Sequence, residues 1–102
     1  MTKNTEELHT LLVNLLGSEN VYFQPPESYK MKYPCIVYER SNIRTDSADN
    51  RSYQKHKRYT VSVIGHDPDS EIPDRIKDLR YCEFDRHFIS DNLNHDVFNL
   101  YF

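Results

Sequence analysis

The sequence predicts an α+β domain in which an antiparallel sheet of about five strands carries helices on one face and extends one protruding hairpin. Apolar residues near the amino terminus recur at helical spacing, later segments are rich in β-forming residues, and clusters of turn-forming residues separate them. The predicted order is helix, strand, strand, strand, helix, strand, strand. At 102 residues, the chain is expected to form a single domain over residues 1–102.

The first helix is predicted from NTEELHTLLVNLLG, in which leucines recur every three or four residues. Asn4 and Glu7 occupy the positions of a capping box, and Gly17 is typical of the residue that ends a helix. The leucines that form the apolar stripe are Leu8, Leu11, Leu12, Leu15 and Leu16.

The segment from Glu19 to Gln24 is predicted to be a short edge strand, because Pro25 and Pro26 end it. ENVYFQ looks like a protease cleavage tag, but a proline after the cleavage point makes a poor substrate, so we treat the segment as native. The second strand is predicted from Tyr33 to Ile43. Its apolar residues occur at both odd-numbered and even-numbered positions, which face opposite sides of a strand, so we expect both of its faces to be covered.

A charged loop and a third strand follow. Residues 44–52 are turn formers and charged residues, which predicts an exposed and mobile loop. From Tyr53 to Ile64, apolar and polar residues alternate, as in a half-buried strand. The first half of this strand, from Gln54 to Arg58, is too charged for a core and is expected to project as a hairpin arm.

The second helix is predicted from Ile72, Ile76 and Leu79, with Asp69 or Ser70 as its N-cap and Pro73 in its first turn. Two strands, 81–90 and 96–102, are predicted to form a terminal hairpin around the turn formers of residues 91–95.

The charge balance argues against tight nucleic-acid binding. The formal net charge is −3, and lysines and arginines are scattered among acidic residues, so no basic stripe would neutralise phosphates. No apolar run approaches the length of a membrane span, and no membrane partner is expected. Cys35 and Cys82 both fall inside predicted strands, which is typical of reduced thiols in a core.

The last hairpin is rich in residues that could perform catalysis, but their spacing fits no metal-ligand pattern. Strand alternation predicts that Glu83, Asp85 and His87 form a polar outer face, opposite Cys82, Phe84 and Phe88. Arg86 then falls among core positions. Its side chain should therefore extend its charged end to solvent at the edge of the core, pair with a buried carboxylate, or mark a bulge in the strand. The candidate acid–base residues here are Cys82, Asp85, His87, Asp91, His95 and Asp96.

We expect no catalytic residues, no metal site and no cofactor. Gly17 and Gly65 are the only glycines, so neither common type of phosphate-binding loop can form. A hydrolase that uses the His/Asp-rich hairpin is the weakest alternative. A small intracellular adaptor or regulator that binds one protein partner through residues 44–58 is the stronger one.

Several stretches of the sequence carry a resemblance to a known family. They are VYFQPP, YPCIVYE, YTVSVIGHDPDSEIPDRI and FDRHFISDNLNHDVFNLYF. Over nearly its whole length the chain resembles the tail-completion or tail-terminator proteins of tailed bacteriophages that infect Gram-positive bacteria. The resemblance does not separate a tail terminator from a neighbouring head-completion protein.

The resemblance implies a structural subunit that assembles with itself into a hexameric ring. Such a ring caps the tail tube, contacts the tail tube protein and the head-completion or neck protein, and resides in the virion after assembly in the host cytoplasm. The edge strand and the carboxyl terminus are then candidates for contacts between subunits, through Val21, Phe23, Tyr101 and Phe102. The charged arm is the candidate partner-binding segment, through Arg44, Asp46, Asp49, Arg51, Lys55, Lys57 and Arg58.

Overall fold

The computed structural model describes residues 5–26, 28–41 and 57–102. The predicted α+β class and the predicted order of elements are confirmed. The elements are α1 (Thr5–Leu16), β1 (Val21–Phe23), β2 (Cys35–Arg40), β3 (Arg58–Gly65), α2 (Ile72–Lys77), β4 (Cys82–Ser90) and β5 (Leu93–Tyr101). The predicted loop 44–52 and most of the predicted arm fall outside the described residues.

The five strands form one mixed sheet in the order β1-β2-β3-β5-β4. All neighbours pair antiparallel except β1 and β2, which run parallel, so the prediction of a purely antiparallel sheet is wrong at this pair. The cause is the β1–β2 connection, residues 24–34, which returns the chain to the end of the sheet where β1 began. The connection crosses one face of the sheet, where the Lys32 N–H donates to the Tyr22 hydroxyl at 3.2 Å.

Both helices pack on one face of the sheet, which we call the helix face. Leu8, Leu12 and Leu16 of α1 are buried there, together with Ile76 of α2. The sheet supplies the other large buried residues of this core, which are Ile36, Tyr38, Tyr59, Val61, Val63, Phe98 and Leu100. The predicted alternation of β3 is therefore confirmed, because its residues at odd numbers face the helices.

The opposite side of the sheet, which we call the open face, has a smaller core of Cys35, Ile64 and Leu93. Met31 of the β1–β2 connection and Tyr22 of β1 pack against it. β2 is thus covered on both faces, as predicted from its apolar residues at odd-numbered and even-numbered positions. The helices of the described ranges are too short and insufficiently apolar to cross a membrane.

Local residues and hydrogen bonds determine where α1 ends and where α2 begins. Gly17 has a φ of +81°, and its N–H donates to the Val13 carbonyl at 2.9 Å, which closes the last turn of α1 as predicted. α2 starts one or two residues later than predicted, with Glu71 at its N-cap and Pro73 in its first turn. The Ser70 hydroxyl still contributes, by accepting a hydrogen bond from the Ile72 N–H at 3.2 Å.

The terminal hairpin has a tighter turn than predicted. Asp91 and Asn92 alone connect β4 and β5, and both have positive φ, 55° and 62°. Such a pair is the signature of a two-residue turn whose twist matches the strands. The predicted turn of residues 91–95 is therefore too long, and Leu93 already belongs to β5.

β4 contains a bulge that overturns the predicted face assignment. Its pairing with β5 shifts between Phe84 and Arg86, so Asp85 is an extra residue. Before the bulge, Phe84 lies opposite Phe98 on the helix face; after it, His87 lies opposite Asp96 on that same face. Glu83 and His87 therefore do not share a face, and neither do Phe84 and Phe88.

Arg86 is explained by the same bulge. It lies opposite Val97, which places it on the open face rather than among the core residues of the helix face. Of the three predicted explanations for this residue, the bulge is the one observed.

Candidate functional site

The sheet has two edges of unequal length. β4, with nine residues, has β5 as its one sheet neighbour among the described strands, and β1, with three residues, has β2. An edge strand presents N–H and C=O groups that can pair with another chain. We call these the β4 edge (Cys82–Ser90) and the β1 edge (Val21–Phe23).

The β4 edge exposes large apolar side chains on both faces of the sheet. Phe84 and Ile89 are 49% and 68% exposed on the helix face, and Phe88 is 39% exposed on the open face. Large exposed apolar side chains along an edge strand make that edge a candidate protein interaction surface. These residues were not among the predicted site residues.

Charged and aromatic side chains are ordered around the bulge. Arg86 Nη1 donates to Asp85 Oδ2 at 2.7 Å, and the guanidinium lies 5.7 Å from the centre of the Phe88 ring. Phe88 stacks on His95 of β5, with ring centres 4.5 Å apart and planes at 9°. Arg86 and Phe88 are therefore held in defined positions.

At the β1 edge, the two predicted contact residues differ in exposure. Val21 is buried, so its side chain packs within the core of its own chain. Phe23 is 41% exposed and lies opposite Tyr38, with the two ring centres 4.9 Å apart, which places it on the helix face. Phe23 is thus the side chain through which this edge can contact another molecule.

The β1–β2 connection adds positive charge beside the β1 edge. Tyr29 of this connection lies against Tyr22, with ring centres 5.3 Å apart. Lys30 and Lys32 are both exposed on the same segment.

Tyr101 and Phe102 lie at the far end of the sheet, in the wall of a groove of about 420 Å³. Both are half-buried, and Leu11, Leu79 and Arg80 also line the groove. The N–H and C=O of Phe102 exchange hydrogen bonds with Lys57, at 2.9 and 3.3 Å. The carboxyl terminus therefore extends the pairing of β3 and β5.

Two residues of the predicted partner-binding arm are described, and both are half-buried. Lys57 pairs with Phe102, and Arg58 lies opposite Tyr101 on the open face. Arg58 Nε is buried and has no hydrogen-bond partner among the described residues. The remaining residues of that set lie outside the described ranges, and they are Arg44, Asp46, Asp49, Arg51 and Lys55.

The His/Asp-rich hairpin separates most of the groups that a hydrolase would need to bring together. His87 Nδ1 and Asp96 Oδ1 share a hydrogen bond of 2.8 Å on the helix face. His95 lies on the open face, stacked on Phe88. Within residues 5–26, 28–41 and 57–102, no three His, Cys, Asp or Glu side chains are grouped closely enough to hold a metal ion.

The two thiols are protonated at neutral pH. Burial raises the pKa of Cys35 to about 12. Burial, and to a smaller extent the charge of Glu83, raises the pKa of Cys82 to about 11. Because the thiolate is the reactive form, neither cysteine has the environment of a nucleophile.

Comparison of the chain with protein-family models, with curated proteins and with solved structures gives no match.

Proposed function

We propose that this chain is a structural subunit of a phage tail-terminator or connector ring, which caps the tail tube and provides the surface to which the head attaches. The observation that carries the proposal is the β4 edge, a nine-residue strand that exposes Phe84, Phe88 and Ile89 and has no second neighbour among the described strands. A subunit that must contact several neighbours needs such adhesive surface.

The chemistry of the chain supports a structural role in the virion neck. The raised pKa values of Cys35 and Cys82 keep both thiols in their unreactive form at neutral pH. The formal charge of −3 suits a conduit, because a ring through which DNA passes must not grip it. The subunit would assemble with its ring and tail tube in the host cytoplasm and remain in the virion.

The test is deletion of the gene from the phage or prophage genome that carries it, followed by electron microscopy of the particles. We expect tails of irregular length that are not joined to DNA-filled heads, and rescue when the chain is supplied from a plasmid. Normal virions after deletion would overturn the proposal. Tails of normal length beside unfinished heads would contradict the tail-capping role and assign the chain to head completion.

A further inference from the structure

We propose that copies of this chain join head to tail, with the β4 edge of one copy pairing with the β1 edge of the next. The inference rests on the proposed ring and identifies its subunit interface. A closed ring needs two different, complementary surfaces on each subunit, since identical surfaces that meet across a two-fold axis stop at a dimer. The two open edges of this sheet are such a pair.

Strand direction permits this pairing without turning the sheet over. β1 runs parallel to β2, and each further step across the sheet reverses direction, so β4 runs opposite to β1. A second copy placed beside β4 in the same orientation therefore brings its β1 antiparallel to β4. The helix faces of the two copies then lie on the same side of the continued sheet.

Each edge has an exposed apolar residue on the helix face. Phe23 at the β1 edge and Ile89 at the β4 edge are both on the helix face. Head-to-tail pairing brings Phe23 of one copy beside Ile89 of the next and covers side chains that are 41% and 68% exposed in the single chain. Pairing of the three β1 residues within the regular part of β4 after the bulge, residues 86–90, places Phe23 opposite His87 and diagonal to Ile89, within contact distance of it.

The charges of the two edges are complementary. The β4 edge, Cys82–Ser90, carries the acidic Glu83 and Asp85 against the single basic Arg86, which gives a net charge of −1. The β1–β2 connection, residues 24–34, carries Lys30 and Lys32 against the single acidic Glu27, which gives a net charge of +1. A β4 edge that met another β4 edge would bring like net charges together, whereas the head-to-tail contact brings opposite ones together.

The test uses two purified variants of the full chain, each with one edge blocked by a charge that the apolar contact would have to bury. Phe23→Glu and Ile89→Lys each replace an exposed apolar side chain of the proposed contact, on the helix face, by a charged one. Thr10→Glu and Thr10→Lys add the same charges at an exposed position of α1 and serve as matched controls. Thermal melting of all four variants verifies that they are folded.

Analytical ultracentrifugation over a range of protein concentrations gives the self-association of each protein. We expect the original chain and both Thr10 variants to self-associate, and each edge variant to associate at least about tenfold more weakly. An equimolar mixture of Phe23→Glu and Ile89→Lys should recover association, because it joins the intact edge of each variant to that of the other and places the introduced acid beside the introduced base.

Three results would overturn the interface. The first is an original chain that stays monomeric at every concentration, and the second is folded edge variants that assemble as strongly as the original chain. The third is that Phe23→Glu forms dimers with itself and Ile89→Lys does not, which would indicate pairing of two β4 edges. The phage deletion experiment is independent of all three. If deletion of the gene causes a tail defect but the edge variants self-associate as strongly as the original chain, this interface is rejected and the proposed ring function is not.

Discussion

At the scale of single residues, the hydroxyl groups of two buried tyrosines connect α1 to the sheet. The Tyr38 hydroxyl shares a 2.9 Å hydrogen bond with His9 Nδ1, and the Tyr59 hydroxyl shares one of 3.0 Å with Thr5 Oγ1. Tyr38 and Tyr59 are among the largest fully buried side chains. These bonds fix the position of the helix over β2 and β3, in addition to the apolar contacts.

Replacing Tyr38 by Phe should lower the free energy of unfolding by about 0.5–1.5 kcal/mol, because it removes one hydrogen bond and leaves His9 without that partner. Urea unfolding of the single variants and of the double variant with His9→Ala measures the coupling. In the His9→Ala background the Tyr38→Phe change should cost less, since the hydroxyl is then already without its partner. An equal cost in both backgrounds would show that this bond does not contribute.

The buried Cys35 thiol should make the fold sensitive to alkaline pH. Its pKa is raised from 9.0 to about 12, so the folded chain keeps a proton that the unfolded chain loses. Stability is therefore complete below about pH 9 and falls as the pH rises towards 12, by at most about 1.4 kcal/mol per pH unit for one thiol. Tyr38, whose pKa burial raises to about 12, acts in the same direction.

Urea unfolding at a series of pH values between neutral and strongly alkaline checks this expectation. The free energy of unfolding should decline above about pH 9 for the original chain, and less steeply for Cys35→Ala, which has one titrating group fewer. The Cys35→Ala variant will be less stable at every pH because it loses packing, so only the slope is diagnostic. Identical slopes would refute the assignment.

At the scale of elements, α1 is the most predictable part of the fold and the main cover of the helix face. Leu8, Leu12 and Leu16 of its predicted stripe are buried, whereas Leu11 and Leu15 are only partly so. The stripe follows from spacing alone, because residues four apart lie above one another on a helix. The rotation of α1 about its own axis, relative to the sheet, determines which of these leucines face the sheet most directly.

Replacing Leu12 by Ala should cost about 2–5 kcal/mol, since the change removes a fully buried side chain and leaves a cavity. The same change at the half-buried Leu15 is the matched control, and it should cost clearly less. Adding Leu16→Ala to Leu12→Ala should approach the roughly 5–15 kcal/mol stability of a typical domain and unfold it. A cooperative thermal melt of the double variant near that of the original chain would show that α1 is not core.

Sequence periodicity predicted the number and order of the strands but not two features that depend on pairing. The parallel direction of β1 follows from the route of the β1–β2 connection across the open face, which strand composition does not encode. The bulge at Asp85 adds one residue and reverses every later face assignment in β4. An alternation that fails within a strand, as in the stretch from Phe84 to Phe88, is the signal that could have revealed it.

At the scale of the whole molecule, the candidate interface could be predicted only in part. β1 was predicted as an edge because Pro25 and Pro26 follow it, and it is an edge. β4 was not predicted as the other edge, since either strand of the terminal hairpin could have paired with β3. The adjacent apolar residues Val97 and Phe98, both buried, mark β5 as the central strand of the two.

The charge distribution of the whole chain leads to the last prediction, that the free protein does not bind duplex DNA measurably at physiological salt. Non-specific affinity requires several clustered lysines and arginines that displace counterions from phosphates, and the densest basic cluster here is Lys55, Lys57 and Arg58 in a chain of net charge −3. Fluorescence anisotropy with a labelled duplex, over a series of salt concentrations, is the measurement. Replacing these three residues by Glu should then change nothing in DNA titrations, because there is no binding to lose. Micromolar binding that falls steeply with added salt and disappears in the triple variant would instead identify residues 55–58 as a phosphate clamp and contradict a ring through which DNA moves freely.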